Sequence, residues 1–572
     1  MRLQALSQKQ DGFAFIKSDH PVIRIFGVDS LVGTGERFDM LDFLGHDRTN
    51  EVKEVFTHQG SSTYIPIPLV LSRTVSFLVD TRRVFTFHSR KEGDDALIEI
   101  DGELDPEDTI LVYQGPVKEA LAALLRHKGG VCLPPSWIFG QWASANRWKS
   151  TADVLEAIDK AQRHGFDLSV LVIEAFSDES TFYRFNEESQ SLWADRQEMM
   201  RILKNRGIHL LLWQCPVFKA LEEGRRDSIH EADLLQARKE GLEVRLADGS
   251  PYRIPKGHWF AGSMIPDFTS KRTRDWWMSR RKALLDMGIS GFKTDGGEFV
   301  LDDGTVFSDG STGKQMRNAY CQSYVGTYLD YMSPDCITFS RAGYLGSQRT
   351  SVYWAGDQLS EFSELESAIR AGLNASMCGV FWWGFDLAGF AGPMPSKELY
   401  LRSYEAAAFV PVMQWHSEPT GGQFALIMAS TDKVNDRSPW NMASLYGDEV
   451  LEVTRRYSKL RTALRAYLES EASHCQQSCE PLMRSMFYET EGQHASIDDQ
   501  FLLGRSLLVA PILHEGQSMR SVIIPQGSWW DVLQAMRIEG PCTVQRSYSL
   551  DQIGLFIRID GPNSEALEFL KA

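Results

Sequence analysis

The chain has 572 residues, 43% of them hydrophobic, enough to bury a large core and to hold a barrel-sized domain with attachments. Sixty Lys and Arg against 76 Asp and Glu give a formal charge of −16, which excludes nucleic acid or an anionic membrane as the main partner, because phosphate affinity needs a cationic surface. Met1–Gln10 lacks the apolar centre of a secretory leader and no 18-residue apolar run occurs, so a cytoplasmic location is expected.

Residues 1–130 alternate short β-type runs with turn signals: Val22–Phe26, Val75–Val79, Val84–Phe87, Leu97–Ile100 and Ile110–Tyr113. This spacing predicts an antiparallel β-sandwich. Inside it, Gly33-Thr34-Gly35-Glu36-Arg37-Phe38 reads as a tight turn in which Glu36 and Arg37 pair.

From Pro134 the texture changes to strands alternating with amphipathic helices, and residues 131–470 read as a (β/α)8 barrel. The eight strand candidates are Ile138–Trp142, Leu168–Glu174, His209–Trp213, Gly291–Asp295, Ile337–Arg341, Val352–Trp354, Val380–Trp383 and Val410–Trp415. Helix patterns cover 151–164, 194–206, 270–287, 313–333, 361–375 and 396–408, many opened by Ser, Thr or Asp caps. The long connection 216–268 is expected to form a lid carrying Trp259, Phe260, Asp267 and Phe268. After a helical stretch near 446–470, β-type runs return at Ser506–Ala510, Ser521–Ile524 and Gly527–Asp531, so 471–572 read as a C-terminal β-sandwich. The fold class is therefore α/β, a TIM barrel flanked by a β-sandwich at each end.

Chemically capable residues stand at or just past nearly every strand end: Trp142, Glu174, Trp213, Asp295, Arg341, Asp357, Asp386 and His416. A structural strand would end in turn formers, so this pattern marks an active site at one face of the barrel. Asp295, at the tip of Gly291-Phe292-Lys293-Thr294, and Asp357, after Val352-Tyr353-Trp354-Ala355-Gly356, supply the two carboxylates that glycoside hydrolysis requires. Fifteen tryptophans suit sugar stacking, with Trp142, Trp213, Trp354, Trp382 and Trp383 as candidate walls. Eight cysteines without framework spacing read as reduced thiols, and thirteen histidines without paired spacing give no metal site. No cofactor is expected.

Several segments together resemble glycoside hydrolase family 31, the retaining α-glucosidase and α-xylosidase family. They are Gly-Thr-Gly-Glu-Arg-Phe at 33–38, Phe-Lys-Thr-Asp at 292–295 with Glu298, Ser-Arg-Ala-Gly-Tyr at 340–344, Tyr-Trp-Ala-Gly-Asp at 353–357, Asp-Leu-Ala-Gly-Phe at 386–390, His416, and Leu-Leu-Val-Ala-Pro at 507–511 followed by Gly-Ser-Trp-Trp-Asp. The resemblance implies that Asp295 is the nucleophile and Asp357 the general acid/base, and that Arg341, His416 and Glu174 contact the first sugar. Glu174 stands where the family usually has Asp. The N-terminal sandwich is short for the family, and no distal C-terminal β-domain is expected.

Physical chemistry assigns the supporting roles. Lys293, two residues before Asp295 on the same strand face, is expected to hold that carboxylate ionised, and burial beside Trp354 to keep Asp357 protonated. Glu298 is expected to orient rather than react. With Trp213 and Asp386, these complete the expected substrate site. The expectation is an exo-acting α-glucosidase that releases glucose from short oligosaccharides by double displacement. An α-xylosidase, an α-galactosidase, a sulfoquinovosidase and a catalytically silent glycan-binding barrel are the alternatives. The expected partner is a small oligosaccharide or glycoside, with homo-oligomerisation left open.

Overall fold

The structure, a computed structural model, describes residues 9–10, 13–16, 21–177, 181–185, 192–221, 224, 226–350, 352–417 and 435–571. Residues 1–8 of the N-terminal stretch, Ser351, and residues 222, 223 and 225 of the expected lid lie outside these ranges.

Eight parallel strands close a barrel in sequence order. They are β1 (Gln141–Ala145), β2 (Leu168–Ile173), β3 (His209–Gln214), β4 (Gly291–Thr294), β5 (Ile337–Ser340), β6 (Val352–Trp354), β7 (Trp383–Asp386) and β8 (Val412–Ser417). Pairing of β1 with β8, Ser144 opposite His416, completes the ring. β2, Leu-Ser-Val-Leu-Val-Ile, is buried along its whole length, because a parallel barrel strand has side chains below and helices above.

Helices Thr151–Arg163, Arg196–Asn205, Lys271–Asp286, Gly313–Tyr331, Phe362–Ser376 and Lys397–Ala407 form the outer layer. Ser150, Ser270 and Ser396 cap three of them, each side chain accepting a backbone N–H one turn on. Between β5 and β6 the crossover is a 3-10 turn, Ser347–Arg349.

Three strands sit later than the sequence implies. Ser136–Phe139 is a 3-10 turn and β1 starts at Gln141, so Trp142 lies near the strand's start and not at its mouth. β7 starts at Trp383 and β8 at Val412. In each case the apolar run begins in the floor of the barrel, and burial pattern alone does not mark where the hydrogen-bond ladder begins. The floor is sealed by helix Asp448–Ser478, whose buried Arg461 donates to the carbonyls of Phe139, Ala408, Val410 and Pro411.

The N-terminal region forms a six-stranded and a four-stranded antiparallel sheet. Ile25, Phe77, Phe87, Ile98 and Val112 share one core there. The C-terminal strands belong to one continuous six-stranded antiparallel sheet. Its long strand Met519–Asp531 breaks register between Ile524 and Gly527, and Val522 and Ile524 pack with Leu502, Leu508 and Phe556, so the sheet encloses its own core as a sandwich does. The connection 216–268 carries helix Ser228–Glu240 and a short strand, Arg245–Leu246, paired with Thr305–Val306. Among the described residues no helix is long and apolar enough to cross a membrane.

Candidate active site

Side chains on a strand alternate faces, and the predicted site residues follow that two-residue period. Lys293 and Asp295 lie two apart at the end of β4, and Gln414 and His416 two apart in β8. Ser144, Glu174, Trp213, Arg341, Trp354 and Asp386 come from the same end of β1, β2, β3, β5, β6 and β7. All eight strands of the barrel thus bring polar and aromatic groups to one lumen.

Asp295 is nine-tenths buried. Its Oδ1 accepts from the Gly296 amide at 2.7 Å and its Oδ2 from Trp213 Nε1 at 2.8 Å. Arg341 is the centre of the charge network. Its Nε lies 3.2 Å from Asp295 Oδ1, Nε and Nη2 grip Glu298 at 3.0 and 3.2 Å, and Nη1 lies 3.0 Å from Glu54 and 4.0 Å from Asp357 Oδ2. One always-charged guanidinium therefore spans both candidate catalytic carboxylates, a task suited to its planar fork. Burial pushes the Asp357 carboxyl well above the usual carboxylate range, against the pull of Arg341 and with a further push from Asp295. Burial likewise raises Glu298, opposed by Arg341.

A second cluster lies beside the first. Lys293 Nζ donates to Glu174 Oε1 at 2.5 Å and sits 4.4 Å from the Trp354 ring. Burial pulls Lys293 toward neutrality, but Glu174, Asp386 and Asp295 outweigh it and leave it above its ordinary value. Burial would raise Glu174; Lys293 and His416 reverse this and hold it below its ordinary value. His416 Nδ1 meets Ser144 Oγ at 2.8 Å, and Ser144 reaches Glu174 at 3.3 Å. Asp386 Oδ1 accepts from Gln414 at 2.5 Å.

A lone buried carboxylate pair could be structural, so the comparison with known proteins decides the class. The family model for the glycosyl hydrolase family 31 TIM-barrel domain matches residues 131–471, and that for the family 31 C-terminal domain matches 479–561. The chain belongs to glycoside hydrolase family 31.

Among the relatives of this family 31 chain, the isomaltosyltransferase of Sporosarcina globispora is 32% identical over 93% of the chain and 50% of its own length. The 1,3-alpha-isomaltosidase of Kribbella flavida is 34% identical over 93% of the chain and 76% of its own length. The solved cycloalternan-forming enzyme from Listeria monocytogenes, in complex with a pentasaccharide substrate, superposes with a TM-score of 0.88 at 31% identity, over 94% of this chain and 53% of that one. The chain thus spans about half the length of two of these three.

Four expectations need correction in this family 31 site. Lys293 gives its ammonium to Glu174 and interacts with Asp295 only through space, so the cation touching Asp295 is Arg341. Trp354 is fully buried beneath Lys293 and against Phe339, so it supports the cluster from below and its ring is no open sugar wall. Trp142, Trp382 and Trp383 are also core residues, their indoles bonded to Ile138 O, Cys132 O and Glu36. Glu36 and Arg37 do not pair: Arg37 instead donates to three carbonyls, of Thr34, Ser61 and Thr49.

Three contributors escaped the sequence reading of the site. Glu54 and Tyr64 come from the N-terminal sandwich, and Trp259 from the 216–268 connection; the two rings flank Arg341 at 5.1 and 5.2 Å. Trp259 also packs at 6.0 Å on Trp213, which holds the Asp295 carboxylate. Only Trp259 had a sequence signal, its place in a long insertion. A wide surface cleft of about 1070 Å³, lined by Asp80, Arg82, Asp309 and Arg349 among others, contains none of the predicted site residues.

Proposed function

We propose that the chain is a retaining, exo-acting α-glycosidase that cleaves α-linked gluco-oligosaccharides and removes an isomaltosyl unit. Asp295 attacks the anomeric carbon while Asp357 gives its proton to the leaving oxygen. The glycosyl-Asp295 ester then breaks as Asp357, now ionised, takes a proton from the attacking water. The observation that supports this reading is the Arg341 guanidinium lying 3.2 Å from Asp295 and 4.0 Å from Asp357, so that both carboxylates face one cation in one lumen. The proton that Asp357 needs follows from its surroundings: it is enclosed in the site, and Arg341 Nη1 comes no nearer than 4.0 Å, whereas Nε lies 3.2 Å from Asp295.

The isomaltosyl unit is supported by two relatives above 30% identity named for isomaltosyl chemistry. Release of single glucose, the expectation from sequence, is the alternative. Incubation with p-nitrophenyl α-isomaltoside and α-glucoside, with chromatography of the released sugar, separates them. Higher kcat/KM on the glucoside would overturn the isomaltosyl reading. Trapping with a 5-fluoro glycosyl fluoride and sequencing the labelled peptide tests the mechanism, and a label anywhere but Asp295 refutes it.

A further inference from the structure

The site holds more negative charge than its arginine needs. Glu298 already satisfies Arg341 through two parallel hydrogen bonds, and Asp295 adds a third contact. A further carboxylate brought to a buried guanidinium costs desolvation that neutralisation alone does not repay. Yet Glu54 is delivered there, its side chain 25% exposed and its Oε1 3.0 Å from Nη1.

The delivery is well anchored. The segment around Glu54 is tied to the barrel by Val52 N donating to Asn318 at 2.8 Å and Asn50 donating to the Tyr344 hydroxyl at 2.9 Å. Within the segment, Lys53 bonds Thr63, and Gln59 bonds the Lys53 carbonyl. A bridge joins Thr57 to Gln358, the neighbour of Asp357.

The nitrogen that Glu54 engages is also the one that faces Asp357. Nη1 lies 3.0 Å from Glu54 and 4.0 Å from Asp357, so the N-terminal carboxylate takes the nearer position on the donor shared between them. We propose that Glu54, supplied by the N-terminal sandwich, is a positioning residue that holds Nη1 of Arg341 off Asp357 and so leaves that carboxyl free to carry its proton. Without Glu54, Arg341 swings toward Asp357 and stabilises the anion, which is the wrong state for the first step. The charged groups facing Asp357 are Arg341, Asp295, Lys293 and Glu54, with the Tyr64 hydroxyl on the sandwich side. Of these charged groups, Glu54 alone comes from outside the barrel.

This inference rests on Asp357 acting as the acid. The test is the pH profile of kcat/KM for the full chain and for Glu54→Gln and Glu54→Asp, on a glycoside with an alkoxide leaving group and on the matching glycosyl fluoride. Loss of the Glu54 charge and closer approach of Arg341 both favour the Asp357 anion, so Glu54→Gln moves the basic limb down by about one pH unit. Above the wild-type basic limb it costs the alkoxide substrate about tenfold, about twofold at the optimum, and the fluoride much less, and Glu54→Asp restores most of the limb. A limb that stays put, or equal losses on both substrates, overturns the proposal and leaves Glu54 as a packing contact. Failure of the underlying reading looks different: Asp357→Asn in the same panel would then retain activity on the alkoxide substrate.

Discussion

Glu36 is a buried acid whose protonation makes stability depend on pH, and replacing it with Gln isolates that dependence. The residue is fully buried; Oε1 accepts from Trp383 Nε1 at 2.7 Å, and Oε2 has no hydrogen-bond partner among the described residues. Burial raises its pKa from 4.5 to about 8, with the Trp383 bond opposing. Between those values the native state keeps a proton that the unfolded chain has lost, so stability is fully present below pH 4.5 and declines as pH climbs toward 8. At about 1.36 kcal/mol per pH unit the loss at pH 8 is on the order of 4–5 kcal/mol. Glu36→Gln keeps the shape and removes the titration. Melting temperatures from pH 5 to pH 8 are expected to coincide for the two proteins at the acid end and to separate in favour of Glu36→Gln by several degrees at the alkaline end. Parallel curves across that range would refute the argument and mean that Glu36 is ionised in the native state.

Three further outcomes are expected. Asp357→Asn lowers kcat on α-linked oligosaccharides by about 10²–10⁴-fold and much less on a glycosyl fluoride, which needs no acid; a steady-state comparison of the two substrates checks it. Glu174→Gln leaves the Lys293 ammonium buried without the carboxylate it touches, at a cost of about 3–5 kcal/mol, read as a fall in melting temperature. Gly356→Ala places a Cβ 2.4 Å from the Tyr64 ring at a φ of +77°. It is expected to cost about 1–3 kcal/mol and to lower kcat by displacing the adjacent Asp357, with Tyr64→Ala in the same chain recovering part of the stability.

What the sequence made legible follows from where the information lies. The period of two within a strand, and its ending in an acid followed by glycine, put Asp295 at the barrel mouth; the structure has it there, one residue past β4. Helix limits were readable because serine caps announce them. The starts of β1, β7 and β8 were not, since Ile138, Phe381 and Val410 are as buried outside the ladder as their neighbours are within it. Charge partners were misjudged for a related reason. Lys293 and Asp295 share a strand face, yet a four-carbon stem reaches across the lumen, and Glu174 on β2 offers the ammonium a better acceptor than its own strand does.

That displacement has a consequence for the chemistry. With the Lys293 ammonium bonded to Glu174, Arg341 is, among the described residues, the cation within 4.0 Å of both the nucleophile and the acid, which need opposite states. A guanidinium can do this because its nitrogens are chemically alike but point to different places: Nε lies 3.2 Å from Asp295 and Nη1 is 4.0 Å from Asp357. Arg341 is contacted from three sides, by Glu298 on the barrel, by Trp259 on the 216–268 connection, and by Glu54 and Tyr64 on the sandwich. Two of those three supports lie far from Arg341 in sequence and outside any strand period; the long insertion hinted at Trp259, and no pattern along the chain marked Glu54 or Tyr64. The barrel supplies both carboxylates, and the attached units set the position of the cation that distinguishes one from the other.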